Sequence, residues 1–271
     1  MISIGFRGVS LGRGDRTLLA RVHLSIAPGE LVVVTGPRGA GKSLLLAAAA
    51  GAIDPQEGEV SIAGRGLASL QRSARPYVRR NIGYLPGEPP FVRDETALEN
   101  IVLALAVRGF EAAEADLIAR RTLAGLGGGD DGGRAPEPLG ERLVRDLSAG
   151  ERRLVGLARA LAGPPPIVVL DEPSAGLDGG DRDRLLEALL EARAAGAAIL
   201  CASNDGALVA ALAAQGARHL VLEEGELRGE RGVVRAVADP RDDGAGDAPE
   251  RDARGGVVLG FPGRRPAREA S

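Results

Sequence analysis

Short apolar runs alternate along the chain with longer amphipathic segments. The apolar runs are rich in β-branched residues and predict strands at 2–6, 22–26, 31–35, 59–62, 81–85, 167–170, 198–202 and 219–222. The segments between them carry helical periodicity and predict helices at 42–51, 96–107, 112–126, 149–162, 182–195 and 206–214. Because strands alternate with helices, the pattern predicts an α/β fold built on a mostly parallel sheet.

Residues 87–147 break this alternation, since they contain helical patterns but no strand. We expect a helical subdomain inserted at about 87–165 in a main domain that spans residues 1–238. A loop rich in Gly and Asp at 127–133 closes the helical stretch and is expected to be mobile. Residues 239–271 are charged, rich in Gly and Pro and without periodicity, so they predict a disordered tail with a short apolar patch at 257–261.

Composition narrows the possible classes of function. The formal net charge of −3 provides no broad positive field for nucleic acid, and we expect no nucleic-acid partner. Cys201 is the single cysteine of the sequence, which leaves no disulfide framework and fits a reducing cytoplasm. The first residues do not resemble a signal peptide, and no apolar run reaches the roughly 18 residues that span a bilayer. We therefore expect a cytoplasmic protein that reaches the inner face of the cell membrane through a partner.

The chain has 34 basic side chains apart from histidine, and Lys42 is the one lysine among them. It lies in the run Gly36-Pro37-Arg38-Gly39-Ala40-Gly41-Lys42-Ser43. The run follows a predicted strand and opens a predicted helix, where main-chain N–H groups wrap phosphates and a compact ammonium fits. The sequence therefore predicts a nucleoside triphosphate site. Lys42 is assigned to the β- and γ-phosphates, and the Ser43 hydroxyl is assigned to Mg²⁺.

Asp171 and Glu172 follow the apolar strand predicted at 167–170. A strand that ends in two carboxylates is common in itself, and alone it would indicate only a strand end and a turn. Behind a phosphate loop the pair is more specific. We predict that Asp171 lies near Mg²⁺ and that Glu172 polarises the attacking water as a general base.

Ser148, Ala149, Gly150 and Glu151 open the helix predicted at 149–162. By themselves, Ser148 and Glu151 predict a capping box. Together with the phosphate loop, the carboxylate pair and the run from Ser174 to Asp178, however, they form an ordered set of motifs. This set resembles the ABC ATPase family over about residues 1–229, with Ala149 where glycine is commoner. The resemblance implies a P-loop NTPase core with a mixed sheet and an inserted helical subdomain, and ATP with Mg²⁺ as cofactors.

In that family, two copies enclose two ATP molecules, and each phosphate loop faces the signature helix of the opposite subunit. The resemblance therefore implies a homodimer that forms on ATP binding. Ser148, Gly150, Glu151 and Asp178 would contact the nucleotide held by the other subunit. It also implies an integral membrane subunit as the working partner, either a permease or a four-helix division protein.

Three positions depart from the family pattern. Gly87 stands where a glutamine usually contacts Mg²⁺ and offers the ion no ligand, and the adjacent Glu88 is the candidate to reach the ion instead. Asn204 stands where a histidine usually contacts the γ-phosphate, and its distance of 33 residues from Asp171 agrees with the family spacing. Arg13 stands in place of the aromatic residue that stacks on adenine, and its guanidinium is assigned to that stacking. Since Asn204 donates a hydrogen bond but carries no charge, we expect tight ATP binding and slow hydrolysis.

Residues 70–83 and 93–101 resemble one branch of the family. This branch contains the bacterial cell-division ATP-binding subunit and the lipoprotein-releasing ATPases, and the cell-division type is favoured. Alternatively, the Arg-rich run simply reflects the composition of the chain. An ATP-gated dimerisation switch that scarcely hydrolyses ATP is the second functional interpretation. A soluble ABC protein of translation or DNA repair is the third, and it is disfavoured because such proteins carry two cassettes or coiled-coil insertions.

Overall fold

The computed structural model describes residues 3–14, 16–71, 73–128, 137–229 and 232–233. The disordered tail predicted at 239–271 and the apolar patch at 257–261 lie outside the described residues. So does the mobile loop predicted at 127–133, apart from its first two positions.

The described strands pair into two sheets. In chain order they are β1 Ile4–Arg13, β2 Arg16–Ile26, β3 Leu31–Thr35, β4 Glu57–Ile62, β5 Arg65–Gly66, β6 Ile82–Leu85, β7 Ile167–Asp171, β8 Ala198–Ala202, β9 Arg218–Glu223, β10 Glu226–Gly229 and β11 Gly232–Val233. The larger sheet has the order β11-β10-β9-β3-β8-β7-β6, in which the five strands from β9 to β6 are parallel. β10 and β11 continue it in antiparallel pairing, so this sheet is mixed.

The smaller sheet has the order β2-β1-β4-β5 and is antiparallel throughout. The sequence pattern predicted strands in this region but did not indicate that they form a separate antiparallel sheet. β1 and β2 are also much longer than the predicted strands at 2–6 and 22–26. Their pairing contains register shifts, and Gly8 has a φ of 60°, so bulges interrupt the alternation on which a strand prediction depends.

The described α-helices are α1 Lys42–Ala49, α2 Arg75–Arg79, α3 Ala97–Val107, α4 Ala112–Leu123, α5 Ala149–Leu161, α6 Gly179–Ala194 and α7 Gly206–Ala214. Helix α2 lies in an Arg-rich run and was not predicted. The predicted helix at 112–126 ends at Leu123, where a π-helical turn, Ala124–Gly128, follows it. Helix α6 begins three residues before the predicted start at 182, because the Asp178 side chain accepts a hydrogen bond from Asp181 N–H at 2.9 Å and caps the helix.

Alternate residues of the parallel strands face two separate apolar cores. Leu31 and Val33 of β3 belong to the core shared with helices α3 to α6, whereas Val32 and Val34 belong to the core shared with α1 and the antiparallel sheet. Helix α1 thus packs between the two sheets, in contact with β7 and β8 on one side and β1 and β4 on the other. Its first residue follows the phosphate loop, so this packing fixes the loop in place.

Helices α3, α4 and α5 lie between β6 and β7 in the chain, within the stretch expected to be helical. The domain boundaries, at 87–165 for the helical subdomain and at 1–238 for the whole domain, stay predictions. None of the helices in the described ranges is both long enough and apolar enough to cross a membrane.

Candidate functional site

The phosphate loop joins β3 to α1 and contains two positions, Gly36 and Gly41, whose positive φ and close neighbours require glycine. Gly36 has a φ of 149°, and a Cβ atom there would lie 2.1 Å from the carbonyl oxygen of Leu222. Gly41 has a φ of 104°, and a Cβ atom there would lie 2.2 Å from Leu19 Cδ1. Side chains at either position would therefore push the loop away from the sheets that support it.

Lys42 begins α1, and its side chain is folded back into the loop. The ammonium donates to the carbonyl oxygens of Gly36 at 2.6 Å and Pro37 at 3.2 Å, and the residue is only 7% exposed. Both acceptors are neutral oxygens, so these two bonds orient the ammonium without placing a negative charge against it. This arrangement suits phosphate binding.

The carboxylate pair lies at the end of β7, beside the phosphate loop. Asp171 is 4% exposed. Glu172 has a φ of 48°, in the left-handed region that costs a residue of this type on the order of 1 kcal/mol. Two hydrogen bonds hold it there, since Glu172 N–H donates to Ala202 O at 2.8 Å and Glu172 Oε2 accepts from Asn204 N–H at 3.0 Å. Both bonds come from the end of β8.

Asn204 connects the carboxylate pair to the phosphate loop. Its backbone N–H donates to Glu172, and its side-chain Oδ1 accepts from Gly36 N–H at 3.4 Å. The amide therefore faces the first residue of the loop, and it carries no charge.

These groups surround one cavity of about 700 Å³. Its lining contains the predicted site residues Arg13, Arg38, Gly39, Gly41, Lys42, Ser43, Asp171, Glu172 and Asn204. The remaining loop residues Gly36, Pro37 and Ala40 belong to the same loop, where Ala40 N–H donates to Pro37 O. The lining does not include Ser148, Gly150, Glu151 or Asp178, nor Glu88, the side chain considered as a substitute for Gly87.

The cavity is also lined by four residues that the sequence pattern did not predict: Leu18, Leu44, Arg153 and Ala175. Leu18 lies beside Arg13 in the lining because both belong to the long hairpin of β1 and β2. Burial lowers the pKa of the half-buried Arg153 guanidinium, while the carboxylates of Asp171 and Glu172 act in the opposite direction. Arg153 follows Arg152 on a helix, and two adjacent arginines are typical of a solvent-exposed helix face. The local sequence therefore did not indicate that Arg153 lines a cavity.

The cavity presents a donor set that fits Mg²⁺. The Ser43 hydroxyl and the Asp171 carboxylate are hard oxygen ligands on the same lining. The described residues contain no group of three or more His, Cys, Asp or Glu side chains that could hold a metal ion by themselves. Magnesium commonly takes one or two protein oxygens and completes its shell with phosphate and water, so the two residues match that mode.

The N-terminus of α5 is built as the sequence predicted, with a capping box. Ser148 Oγ accepts from Glu151 N–H at 3.2 Å, and Glu151 Oε2 accepts from Ser148 N–H at 2.7 Å. Partial burial would by itself raise the pKa of Glu151. However, the hydrogen bonds from Ser148 and the guanidinium of Arg142 outweigh that effect and lower it below 4.5. A Cβ atom at Gly150 would lie 2.8 Å from Gly176 O, so the first turn of α5 packs closely against the backbone of the segment at 174–178.

A second cavity, of about 610 Å³, lies on the helical side of the 86–91 segment. Three exposed apolar side chains line it: Val92, Leu103 and Val107. Its lining also contains four arginines and no carboxylate, the arginines being Arg79, Arg80, Arg108 and Arg159. Gly87 lines the cavity at the phosphate loop and Phe91 lines this second cavity, a groove beside α3, so one short segment borders both.

Known proteins resemble the chain over most of its length. The lipoprotein-releasing system ATP-binding protein LolD of Maricaulis maris is 38% identical over 197 residues, which cover 71% of this chain and 81% of the relative. The cell division ATP-binding protein FtsE of Escherichia coli is 32% identical over 216 residues, which cover 80% of this chain and 92% of the relative.

Among solved structures, the ATP-binding cassette MJ0796, solved as a dimer bound to ADP and Pi, superposes with a TM-score of 0.73 at 26% identity. The match covers 84% of this chain and 99% of that one. The predicted fold class, a P-loop NTPase core of the ABC type with a mixed sheet, is confirmed. The ABC transporter family model matches residues 19–175. The chain therefore belongs to the ABC transporter family, as an ATP-binding subunit and ATPase of the ABC type.

Proposed function

We propose that the chain is the ATP-hydrolysing subunit of a membrane ABC complex, that it dimerises around ATP, and that it turns over slowly. One observation carries the proposal: Lys42, Glu172 and Asn204 meet on a single cavity, joined by hydrogen bonds that run from the phosphate loop to the carboxylate. A site of this construction holds a triphosphate at one end and a general base at the other.

Different residues of the cavity are assigned to different parts of the nucleotide. Loop N–H groups from Gly36 to Ser43 and the N-terminus of α1 receive the β-phosphate, and Lys42 bridges the β- and γ-phosphates. Arg13 and Leu18 lie on the hairpin side and receive the adenine. Ser43 and Asp171 hold Mg²⁺, which when bound offsets charge on the phosphates.

Glu172 is the general base of the proposed reaction. Its backbone is held in the left-handed region and one oxygen accepts from Asn204 N–H, so the carboxylate is oriented before the substrate binds. The other oxygen is then available to accept a proton from the attacking water. Asn204 donates to the γ-phosphate through its side-chain amide without adding charge.

The expectation of slow turnover rests on two groups that the site lacks, a side chain at position 87 and a cation at position 204. Gly87 provides no side chain beside Asp171, and Asn204 provides a neutral donor where a cation would stabilise developing charge. Removing a single transition-state donor lowers kcat by about 10²–10³-fold in enzymes that stabilise an oxyanion. We therefore expect hydrolysis well below the rate of a site that has both groups.

A second copy of the chain completes the site in this proposal. Ser148 and Asp178 are exposed, and with Gly150 and Glu151 they lie off the lining of their own cavity. The Ser148 hydroxyl accepts from Glu151 N–H and retains a proton to donate. At the N-terminus of α5, this donor and the helix dipole suit a γ-phosphate presented by another subunit. ATP then joins two surfaces and makes dimerisation depend on its concentration.

The membrane partner is proposed to bind the groove beside α3. Val92, Leu103 and Val107 are 44%, 51% and 55% exposed and line this one groove, which is typical of an interaction site. We propose a partner of the cell-division type, with a lipoprotein-releasing partner as the second candidate. The similarity to both FtsE and LolD supports a partner from this pair of systems. Identifying the membrane protein that copurifies with the chain distinguishes the two.

The test combines phosphate release with dimerisation. With Mg-ATP, the native chain should form dimers in light scattering and release phosphate slowly. Glu172→Gln should keep or strengthen the ATP-dependent dimer while abolishing release, and Lys42→Ala should lose nucleotide binding and the dimer together. Release that remains undetectable even with the membrane partner would instead favour an ATP-gated switch. Rapid release by the native chain would refute the proposal of slow turnover.

A further inference from the structure

Arg153 joins three parts of the nucleotide cavity that are distant in sequence. Its Nη2 donates to Gly87 O at 2.9 Å, and its Nη1 donates to Pro86 O at 3.2 Å and to Asp171 O at 3.4 Å. The guanidinium lies on the cavity lining together with the side chains of Asp171 and Glu172. It therefore holds the turn after β6 against the carboxyl end of β7.

Next to Arg153, the cavity is lined by Gly87, which has no side chain. A Cβ atom at Gly87 would lie 3.3 Å from Asp171 Oδ2, so a side chain at this position would point at the aspartate carboxylate. In its absence, the guanidinium is the cation that stands beside the two carboxylates on this wall. Its planar fork reaches three carbonyl oxygens at once, which a lysine ammonium cannot do with the same geometry.

We propose that Arg153 is a positioning residue for the magnesium–nucleotide complex. By fixing the Gly87 turn to the backbone of Asp171, it sets the direction of the aspartate carboxylate, the task that a side chain at position 87 would otherwise share. The proposal rests on the proposed function in one respect only, namely that a nucleotide with Mg²⁺ occupies this cavity.

If Arg153 acts through Asp171, its loss should affect nucleotide binding with Mg²⁺ more than nucleotide binding without Mg²⁺. Because Asp171 acts through Mg²⁺ and the phosphate loop does not need it, Arg153→Ala should weaken binding of Mg-nucleotide by about tenfold. This is the scale of one hydrogen bond to a charged group. Binding in EDTA should change less than about twofold, since Lys42 and the loop amides remain. Arg153→Lys keeps the charge but not the fork, and should fall between the native chain and Arg153→Ala.

The experiment is a titration of the full chain with trinitrophenyl-ATP, with Mg²⁺ and with EDTA, alongside a thermal melt of each variant. Arg120→Ala is the matched control, because Arg120 is an exposed arginine on α4 whose ion pairs with Asp116 and Glu141 lie away from the cavity. It should bind as the native chain does. Adding Gly87→Gln to Arg153→Ala should recover most of the lost Mg²⁺-dependent affinity, since Gly87 has no positive φ that would forbid a side chain.

Several results would overturn the proposal. A loss of affinity that is equal with and without Mg²⁺ would mean that Arg153 serves the loop or the fold in general. The same conclusion follows if Arg159→Ala, which frees the other end of the 86–91 segment from α5, reproduces the Mg²⁺ effect. If Arg153→Ala and Arg153→Lys both bind Mg-nucleotide as tightly as the native chain, Arg153 has no positioning role. A native chain that binds Mg-nucleotide without hydrolysis or dimerisation would refute the proposed function and leave this comparison intact.

Discussion

Replacing Asn204 with histidine should accelerate ATP hydrolysis. The Asn204 side chain lines the nucleotide cavity and its Oδ1 accepts from Gly36 N–H at 3.4 Å, so it faces the start of the phosphate loop. The link to the general base comes from the Asn204 backbone N–H, which any residue retains. A protonated imidazole at this position would add a positive charge beside the γ-phosphate and leave Glu172 in place.

The size of the effect follows from the added charge. A unit charge about 4 Å from a phosphate oxygen interacts with it by about 4 kcal/mol at the effective dielectric of a protein surface. If roughly a third of that energy is gained only in the transition state, that third lowers the barrier, whereas the remainder is already gained with bound ATP and tightens ATP binding. The value of kcat then rises about tenfold, since 1.36 kcal/mol corresponds to a factor of ten. Losing the long neutral bond to Gly36 costs under about 1 kcal/mol of unfolding free energy.

The assay is steady-state phosphate release at saturating Mg-ATP, measured at about pH 6 and about pH 8.5, on either side of the ordinary imidazole pKa of about 6.5. Imidazole carries its charge below its pKa, so the acceleration by Asn204→His should be large at the lower pH and should shrink as the pH rises. Asn204→Gln is the control, because it is longer but remains neutral. A histidine variant no faster than the glutamine variant at the lower pH would refute the charge argument.

Three further predictions concern the loop, the signature helix and the core. Lys42→Arg should weaken ATP binding by at least about tenfold in a nucleotide titration, because a planar guanidinium does not fit between the two loop carbonyls that hold the ammonium. Glu151 has a lowered pKa, so its contribution to stability is present above pH 4.5 and is lost as the pH falls through the folded-state pKa. In melts across the acid range, Glu151→Gln should therefore lose less stability than the native chain. Ile101 is fully buried, and Ile101→Ala should lower the unfolding free energy by about 2–5 kcal/mol in urea titrations.

Each of these has a matched comparison. Leu103→Ala, on the same helix as Ile101 but 51% exposed, should change stability by less than about 0.5 kcal/mol and should weaken binding of the membrane partner. Equal losses at Ile101 and Leu103 would contradict the placement of α3. Parallel melting curves for the native chain and Glu151→Gln would show that the capping carboxylate has an ordinary pKa. Native-like ATP affinity in Lys42→Arg would mean that the loop accommodates a guanidinium group.

The phosphate loop and the carboxylate pair could be read from the sequence because each is local. Gly36 and Lys42 act within one turn, and the Asp171–Glu172 pair follows an apolar strand of ordinary type. Their joint position on one cavity follows from parallel strands, whose carboxyl ends meet at one edge of the sheet. The contribution of Asn204 to both Glu172 and the loop fits the same rule.

Arg153 and the hairpin were beyond this kind of inference. Arg153 reaches the cavity because α5 packs against the turn after β6, a contact between segments more than sixty residues apart. Leu18 reaches it because the hairpin of β1 and β2 extends through bulges that interrupt its alternating pattern. The missed sites thus depend on long-range packing and irregular pairing, neither of which leaves a periodic signal.

The two ends of the nucleotide cavity rest on different sheets. Arg13 and Leu18 come from the antiparallel hairpin, whereas Lys42, Asp171 and Asn204 lie at or beyond the carboxyl ends of parallel strands in the larger sheet. The hairpin meets the larger sheet through the backbone, where Ala20 N–H donates to Gly225 O at 3.2 Å. If the base lies against the hairpin, as proposed, we expect substitutions at Arg13 or Leu18 to change the affinity for ATP more than the affinity for inorganic triphosphate.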